Sequence, residues 1–226
     1  MTGTLFLVAT PIGNLSDISK RAIETLDKVD LVACEDTRRT GLLLQQLGLK
    51  KNLISYYEEN EQNQIPTIIN ELKSGKDVAL VTDSGTPSVS DPGFRLVRKA
   101  ISQEISVDSI PGPSAVLTAL TLSGLPTNQF FFFGFPPPKE GKRRELFTKI
   151  REMQEISKFT AIFFESPYKL IVSLNNLNEV FGDIDIVICR ELTKLYQEIR
   201  REKISQSLEH FSKQKPKGEF TILFYN

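Results

Sequence analysis

Four short stretches hold most of the side chains that could do chemistry. They are Thr10–Asp17 (TPIGNLSD), Cys34–Thr40 (CEDTRRT), Thr82–Gly93 (TDSGTPSVSDPG) and Ile110–Ala115 (IPGPSA). Each begins where an apolar run ends, and each combines Gly or Pro with hydroxyls, carboxylates or Arg. Backbone amides, hydroxyls and a few carboxylates suit a ligand with a ribose, a heteroaromatic base and a small charged group. The amides of Gly112–Ala115 open a helix, a place that favours an anionic group. Neither the dinucleotide pattern G-x-G-x-x-G nor the triphosphate pattern G-x-x-x-x-G-K-[ST] is present. The crossing from Thr82 to Phe94 runs thirteen residues, against about 2–6 for an ordinary strand–helix loop. Relay chemistry of the Ser-His-Asp kind has one base to draw on, His210, late in a helical stretch.

These stretches need a frame that holds them together, and the periodicity supplies one. Apolar runs at Leu5–Ala9, Leu31–Cys34, Leu53–Tyr56, Val78–Val81 and Ser106–Ile110 read as strands. Helix-period segments lie between them at Ser16–Leu26, Arg38–Leu47, Gln62–Lys73 and Pro92–Ser102. Asp91 is placed to cap the last of these, with Pro92 at its first turn. Regular strand–helix alternation implies an α/β fold with a parallel five-stranded sheet covered by helices. In an open parallel sheet, ligands sit outside the carboxyl ends of the strands, where all four stretches would gather. The opposite edge carries only plain charged turns such as ETLDKVD and ELKSGKD.

An apolar helix follows IPGPSA, and the domain boundary is expected just after it, giving domains 1–123 and 124–226. The second half reads as strands at Phe130–Phe135, Thr160–Glu165, Asp185–Arg190 and Phe220–Tyr225. Its helices are expected near Arg143–Met153, Tyr168–Val180 and Ser205–Phe211. The spacing is less regular, which suggests a mixed sheet.

Bulk composition excludes several classes. The 226 residues carry 28 basic and 28 acidic side chains, so a general polyanion binder is unlike this chain and nucleic-acid contact needs a local patch. Two Cys and one His are too few for a four-ligand Cys/His zinc site, and no metal is expected. Cys34 and Cys189 sit in apolar strands and read as small buried hydrophobes of a reducing compartment. No run approaches the ~20 apolar residues of a membrane span, and no basic segment precedes the first apolar run. A cytoplasmic protein is expected.

The motifs LFLVATPIGNLSDISKRAIETL, DLVACEDTRRTGLLL, ALVTDSGTPSVSDPG, IPGPSAVLTAL, GFPPPKEGKRREL, FFESPYKL, RELTKLYQE and KGEFTILF occur in that order. They resemble the S-adenosylmethionine-dependent tetrapyrrole methylase superfamily over nearly the whole chain. EDTRRT and the SDPG that follows GTP are similar to its branch that methylates ribosomal RNA. That resemblance implies a two-domain tetrapyrrole-methylase-like fold with the methyl donor between the domains, and a homodimer. It implies 2′-O-methylation of a cytidine ribose near the decoding centre of small-subunit (16S) ribosomal RNA, presented by an assembled small subunit. Donor contacts carried over from the resemblance are Pro11, Gly13, Ser84, Gly85, Thr86, Val89, Ser114, Ala115, Phe164, Glu165 and Leu192. Asp83 joins them from its place at a strand end.

A ribose hydroxyl needs its proton removed, and histidine is scarce. The candidate bases are Glu35, Asp36, Asp83, Glu165 and Glu191, with Lys194 if desolvation lowers its pKa; the sequence does not choose among them. Glu35 and Asp36 could equally orient Arg38 or cap a helix. For RNA, the run Lys139–Arg151 holds six basic and two acidic residues. With Leu146, Ile150 and Met153 turned inward, Lys142, Arg143 and Lys149 would face water, and Lys139 and Arg144 lie in the same run. Arg38 and Arg39 are further phosphate candidates, and Tyr56 or Tyr57 could stack a base. Two other readings compete: methylation of a tetrapyrrole ring, and a non-catalytic RNA-binding factor in ribosome assembly.

Overall fold

The structure, a computed structural model, describes residues 2–213 and 215–226. The chain divides into two compact units, one ending at Ser114 and the other starting at Ala115.

The first unit alternates β1 (Thr4–Val8), α1 (Lys20–Lys28), β2 (Leu31–Cys34), α2 (Thr37–Gln46), β3 (Asn52–Ser55), α3 (Glu61–Lys73), β4 (Val78–Val81), α4 (Phe94–Ser102) and β5 (Ser106–Ile110). Its sheet has the order β3-β2-β4-β1-β5, and every neighbouring pair is parallel. Side chains alternate between two cores, as a strand's period of two requires. Leu5, Ala33, Val78 and Leu80 enter one core with Ile68, Leu72 and Leu96 from α3 and α4. Val8, Val32, Cys34 and Val81 enter the other with Ala22, Leu26 and Leu44 from α1 and α2. Helices on both faces explain why β4 is buried throughout (Val-Ala-Leu-Val) and shows no polar alternation. Each fully buried Leu or Val contributes roughly 1.5–3 kcal/mol. That packing fixes the strand ends to which the functional loops are attached.

Helix α4 departs from expectation. It begins at Phe94 with Gly93 as N-cap, and no side chain caps it. Gly93 has φ +144°, and a Cβ there would lie 2.6 Å from Ser88 Oγ and 2.9 Å from Leu80 Cδ2. The chain turns at this glycine, so Asp91 is not a cap.

The second unit contains α5 (Ala115–Ser123), β6 (Phe130–Phe132), α6 (Glu140–Ile156), β7 (Thr160–Glu165), α7 (Leu170–Phe181), β8 (Asp185–Arg190), β9 (Glu198–Lys203), α8 (Ile204–Ser212) and β10 (Phe220–Phe224). Its sheet runs β6-β7-β10-β8-β9. It is mixed: β6 is parallel to β7 and the other pairs are antiparallel. Phe147, Leu174 and Phe211 from α6, α7 and α8 join Phe163, Ile188, Ile222 and Phe224 in one core. Helix α5 packs on β10 and β7, so the units part ahead of this helix, whereas the sequence placed the boundary after it. Its buried Val116, Ala119 and Leu120 need the second sheet. Strand β9 (EIRREK) had no sequence signature, because its surface is a ladder of charge: Arg200 pairs with both Glu198 and Glu202. It is an edge strand, where charge blunts unwanted pairing.

Candidate active site at the carboxyl edge of the first sheet

The adjacency of β2, β4, β1 and β5 brings the four chemistry-bearing exits to one edge. Three of those loops are stitched together. Thr10 N–H donates to Gly85 O at 2.9 Å and Gly85 N–H returns to Thr10 O at 3.1 Å. Thr10 Oγ1 donates to Thr82 O at 3.2 Å, and Thr86 Oγ1 donates to Pro113 O at 3.1 Å. The exits of β1, β4 and β5 therefore behave as one backbone-lined shelf. Gly85 has φ +88°, which disfavours any side chain on conformational grounds, and a Cβ on it would lie in contact with Ile12 Cγ2 at 3.4 Å. At Gly112 a Cβ would come within 3.0 Å of Ala9 Cβ.

Of the expected donor contacts, Pro11, Ser84, Thr86, Ser114 and Ala115 are half-buried, Gly85 is buried, and Gly13 and Val89 are exposed. In the second unit, Leu192 and Glu165 are buried, and Phe164 sits edge-on to Phe132 and Phe135. The Glu165 carboxylate accepts from Ser166 N at 2.7 Å and from the Ser173 hydroxyl.

Beside the shelf lies a cavity of about 560 Å³ at the exits of β2, β3 and β4. Six carboxylates line it, Glu35, Asp36, Glu58, Glu59, Asp83 and Asp91, with Arg38 and Tyr57 among the other walls. Their roles separate cleanly. Asp36 caps α2: its Oδ1 accepts Arg38 N at 2.8 Å and its Oδ2 accepts Arg38 Nη2 at 2.7 Å. The Arg38 guanidinium and amide hold the Asp36 carboxyl far below the usual range. Asp83 ties β4 to the β2 exit, accepting from Asp36 N at 3.1 Å and Arg39 Nη1 at 3.0 Å.

Glu35 and Asp91 differ from both. Among the described residues, neither carboxylate takes part in a hydrogen bond or ion pair. Burial, with Asp83 adding to it, raises the Glu35 carboxyl. Burial, with Glu35 and Asp83 nearby, raises Asp91 to about 7. These two hold protons more tightly than free carboxylates and have no partner to satisfy, the condition a general base near neutral pH requires.

Three of the sequence candidates for the base, Glu165, Glu191 and Lys194, come from the second unit. Glu191 and Lys194 bind each other at 3.0 Å, and Lys194 also holds Glu219 at 2.9 Å. Burial alone would lower the Lys194 ammonium, but Glu219 and Glu191 outweigh it and leave its pKa raised. Burial would raise Glu191, but the Glu219 amide and Lys194 hold it low. Lys194 stays protonated and Glu191 is engaged, so the pair braces a turn.

The basic run of α6 is also rearranged. Its buried face is Arg143, Phe147, Ile150 and Gln154; Ile150 points inward as expected and Leu146 packs half-buried against the same core, but Phe147 and Arg143 join it in place of Met153. Met153 is exposed, and Arg143 is not: only 2% of it meets solvent. Arg143 Nε donates to Asn176 Oδ1 at 2.8 Å, and Nη1 reaches Pro137 O and Pro138 O at 3.3 Å. It anchors the proline-rich loop and cannot touch RNA. Lys142 and Lys149 share Glu145, Arg144 is held by Glu140 and Glu179, and Lys139 is exposed. Tyr56 is buried with its hydroxyl on Glu61 at 3.0 Å and has no face for a base, whereas Tyr57 is exposed at the cavity wall. Both cysteines are buried, and burial raises their thiols, Cys189 to about 11.

Sequence reasoning missed Asp91 as a site residue because an Asp before a helix is usually a cap. It also passed over the β3 exit, although Tyr57-Glu58-Glu59 carries as much charge as the stretches it singled out.

The family described as Tetrapyrrole (Corrin/Porphyrin) Methylases matches residues 4–207. A curated relative from Thermotoga maritima, "Ribosomal RNA small subunit methyltransferase I", is 46% identical over 98% of this chain and 97% of its own length. A protein of the same name from Mesorhizobium japonicum is 46% identical over 96% of this chain and 74% of the relative. Among solved structures, a diphthine synthase superposes with a TM-score of 0.75 at 14% identity, covering 98% of this chain and 90% of that one. A cobalt precorrin-4 methyltransferase gives 0.69 at 15%, covering 97% and 94%; both likenesses speak to the fold.

Proposed function

The chain belongs to the tetrapyrrole methylase family, among its ribosomal RNA small subunit methyltransferase I proteins, and we propose that it methylates the 2′-hydroxyl of a cytidine in 16S ribosomal RNA. The observation that carries this reading is the stitched shelf beside a cavity with two unengaged, proton-holding carboxylates.

The cofactor is S-adenosylmethionine, whose sulfonium supplies a methyl group to an in-line nucleophile. The loops fit such a nucleoside. Gly85 and Gly112 keep the shelf free of side chains, and backbone groups and the hydroxyl of Ser84 are the available contacts. Pro11, Gly13, Asp83, Ser84, Gly85, Thr86, Val89, Ser114 and Ala115 would hold it. Rigidity is the main catalytic device, because aligning two bound reactants removes about 7–11 kcal/mol of barrier.

Glu35 or Asp91 takes the ribose proton, a step worth about 10²–10⁴-fold. The surrounding carboxylates repel phosphate, so the uncharged ribose enters while the backbone stays at the rim. Arg38, with its side chain 89% exposed, and Arg39 stand at that rim. Lys139, Lys142, Arg144 and Lys149 offer a second basic face. Their exposed ion pairs are worth little and exchange readily for phosphates. A homodimer acting in the cytoplasm on assembled small subunits completes the proposal; among the described residues no helix is long and apolar enough to cross a membrane.

The test is transfer of radiolabelled methyl from S-adenosylmethionine to small subunits, naked 16S RNA and a uroporphyrinogen. Label on a cytidine 2′-oxygen supports the reading. Label confined to the tetrapyrrole refutes it, and donor binding without any transfer favours an assembly factor.

A further inference from the structure

A second cavity, of about 420 Å³, lies wholly within the second unit, walled by Arg190, Glu198, Lys213, Lys215 and Lys217 among others. It is remote in sequence from the basic run of α6 and was not foreseen. Four cations face one carboxylate there, and the local acids are already committed. Glu198 is shared among Arg190 at 3.2 Å, Arg200 at 3.3 Å and His210 at 3.0 Å. Glu219 and Glu191 are held by Lys194, and Glu209 by Lys213. Lys215 and Lys217, both exposed, have no carboxylate partner among the described residues.

The loop that carries them is braced. Arg190 Nε donates to Lys217 O at 2.7 Å, Pro216 restricts the backbone, and Gly218 turns at φ +93° where a Cβ would strike Glu191 Cγ at 2.6 Å. The ammonium of Lys215 lies 5.3 Å from the centre of the Tyr168 ring, and that ring is 79% exposed. Fixed, unneutralised cations beside an exposed aromatic are the elements of a single-strand binding groove, in which phosphates meet charge and bases stack.

We propose that this cavity holds backbone phosphates of a single-stranded segment of the RNA substrate on Lys215 and Lys217, with Tyr168 as a stacking platform for an adjacent base. The proposal rests on the reading of ribosomal RNA as substrate. It adds a docking site built by the second unit alone, and its effect is read as RNA affinity.

Binding of a labelled single-stranded 16S RNA fragment across a salt series tests it, on the full chain. Lys215→Glu/Lys217→Glu should weaken binding tenfold or more and flatten the log–log salt slope by about 1.4, near 0.7 for each phosphate that a lysine no longer neutralises. Tyr168→Ala should weaken binding roughly tenfold with the slope unchanged. In methyl transfer the double variant should raise KM and leave kcat, while S-adenosylmethionine titration matches wild type. The control is Lys28→Glu/Lys50→Glu, which makes the same charge change at two exposed lysines of the first unit. If the Lys215/Lys217 variant binds no worse than this control, with the same slope, the docking site is refuted while the RNA reading stands. A wild-type protein with no affinity for RNA would overturn both.

Discussion

Asp91→Asn separates a proton-holding site residue from an incidental surface acid. The Asp91 carboxyl rises from 3.8 to about 7, a gap of roughly 3 units, for which the ceiling is about 4 kcal/mol at 1.36 kcal/mol per unit. Water reaches this half-buried side chain, so screening reduces the working figure to about 1–2 kcal/mol. The sign follows from linkage. The folded chain keeps this proton longer than the unfolded one, so the contribution of Asp91 to stability is greatest below about pH 4. It falls as pH climbs and levels off beyond about 7. Asparagine cannot ionise and escapes that decline. The variant should therefore match wild type near pH 4 and exceed it by about 1–2 kcal/mol at pH 8, worth about 2–8 °C in Tm. Chemical denaturation at several pH values reads the difference directly. In methyl transfer, wild type should gain rate through pH 7 as Asp91 ionises, and the variant should lose that limb. A stability difference that does not change with pH would show that burial and the Glu35 and Asp83 charges do not raise this carboxyl, and the reasoning would fail.

Gly85→Ala places a side chain at φ +88° against Ile12, so it should cost about 1–2 kcal/mol of stability and weaken S-adenosylmethionine binding by calorimetry at least tenfold; unaltered affinity would remove the shelf from the donor site. Arg143→Ala leaves Asn176 and two proline carbonyls short of a donor, and should lower denaturation stability by about 2–4 kcal/mol, with RNA affinity of the folded variant unchanged; the opposite pattern would restore Arg143 as an RNA contact. Arg201 donates to Ser123 O at 3.1 Å and to Leu122 O, capping the end of α5, so Arg201→Ala should raise amide exchange in α5 and cost about 1–2 kcal/mol.

The sequence by itself determined the α/β alternation, the parallel first sheet and the gathering of loop chemistry at one edge. Each follows from a local rule: apolar runs of strand length, helix-period faces between them, and Gly/Pro-rich exits on one side only. It also determined family membership, through motifs at those exits. Only the tertiary structure decided what each charged residue does, because the worth of a charge depends on partners distant in the chain. Arg143 looked solvent-facing until the packing of α6 buried it against Asn176. Lys194 looked like a possible base until Glu191 and Glu219 closed on it. Asp91 looked like a cap until Gly93, squeezed between Ser88 and Leu80, took the turn and left the carboxylate in the cavity beside Glu35. Strand β9 was invisible because its pairing with β8 comes from backbone hydrogen bonds, while its side chains form an ion-pair ladder without periodic apolar content. Periodicity is written along the chain, whereas protonation, pairing and burial of a side chain are set across it.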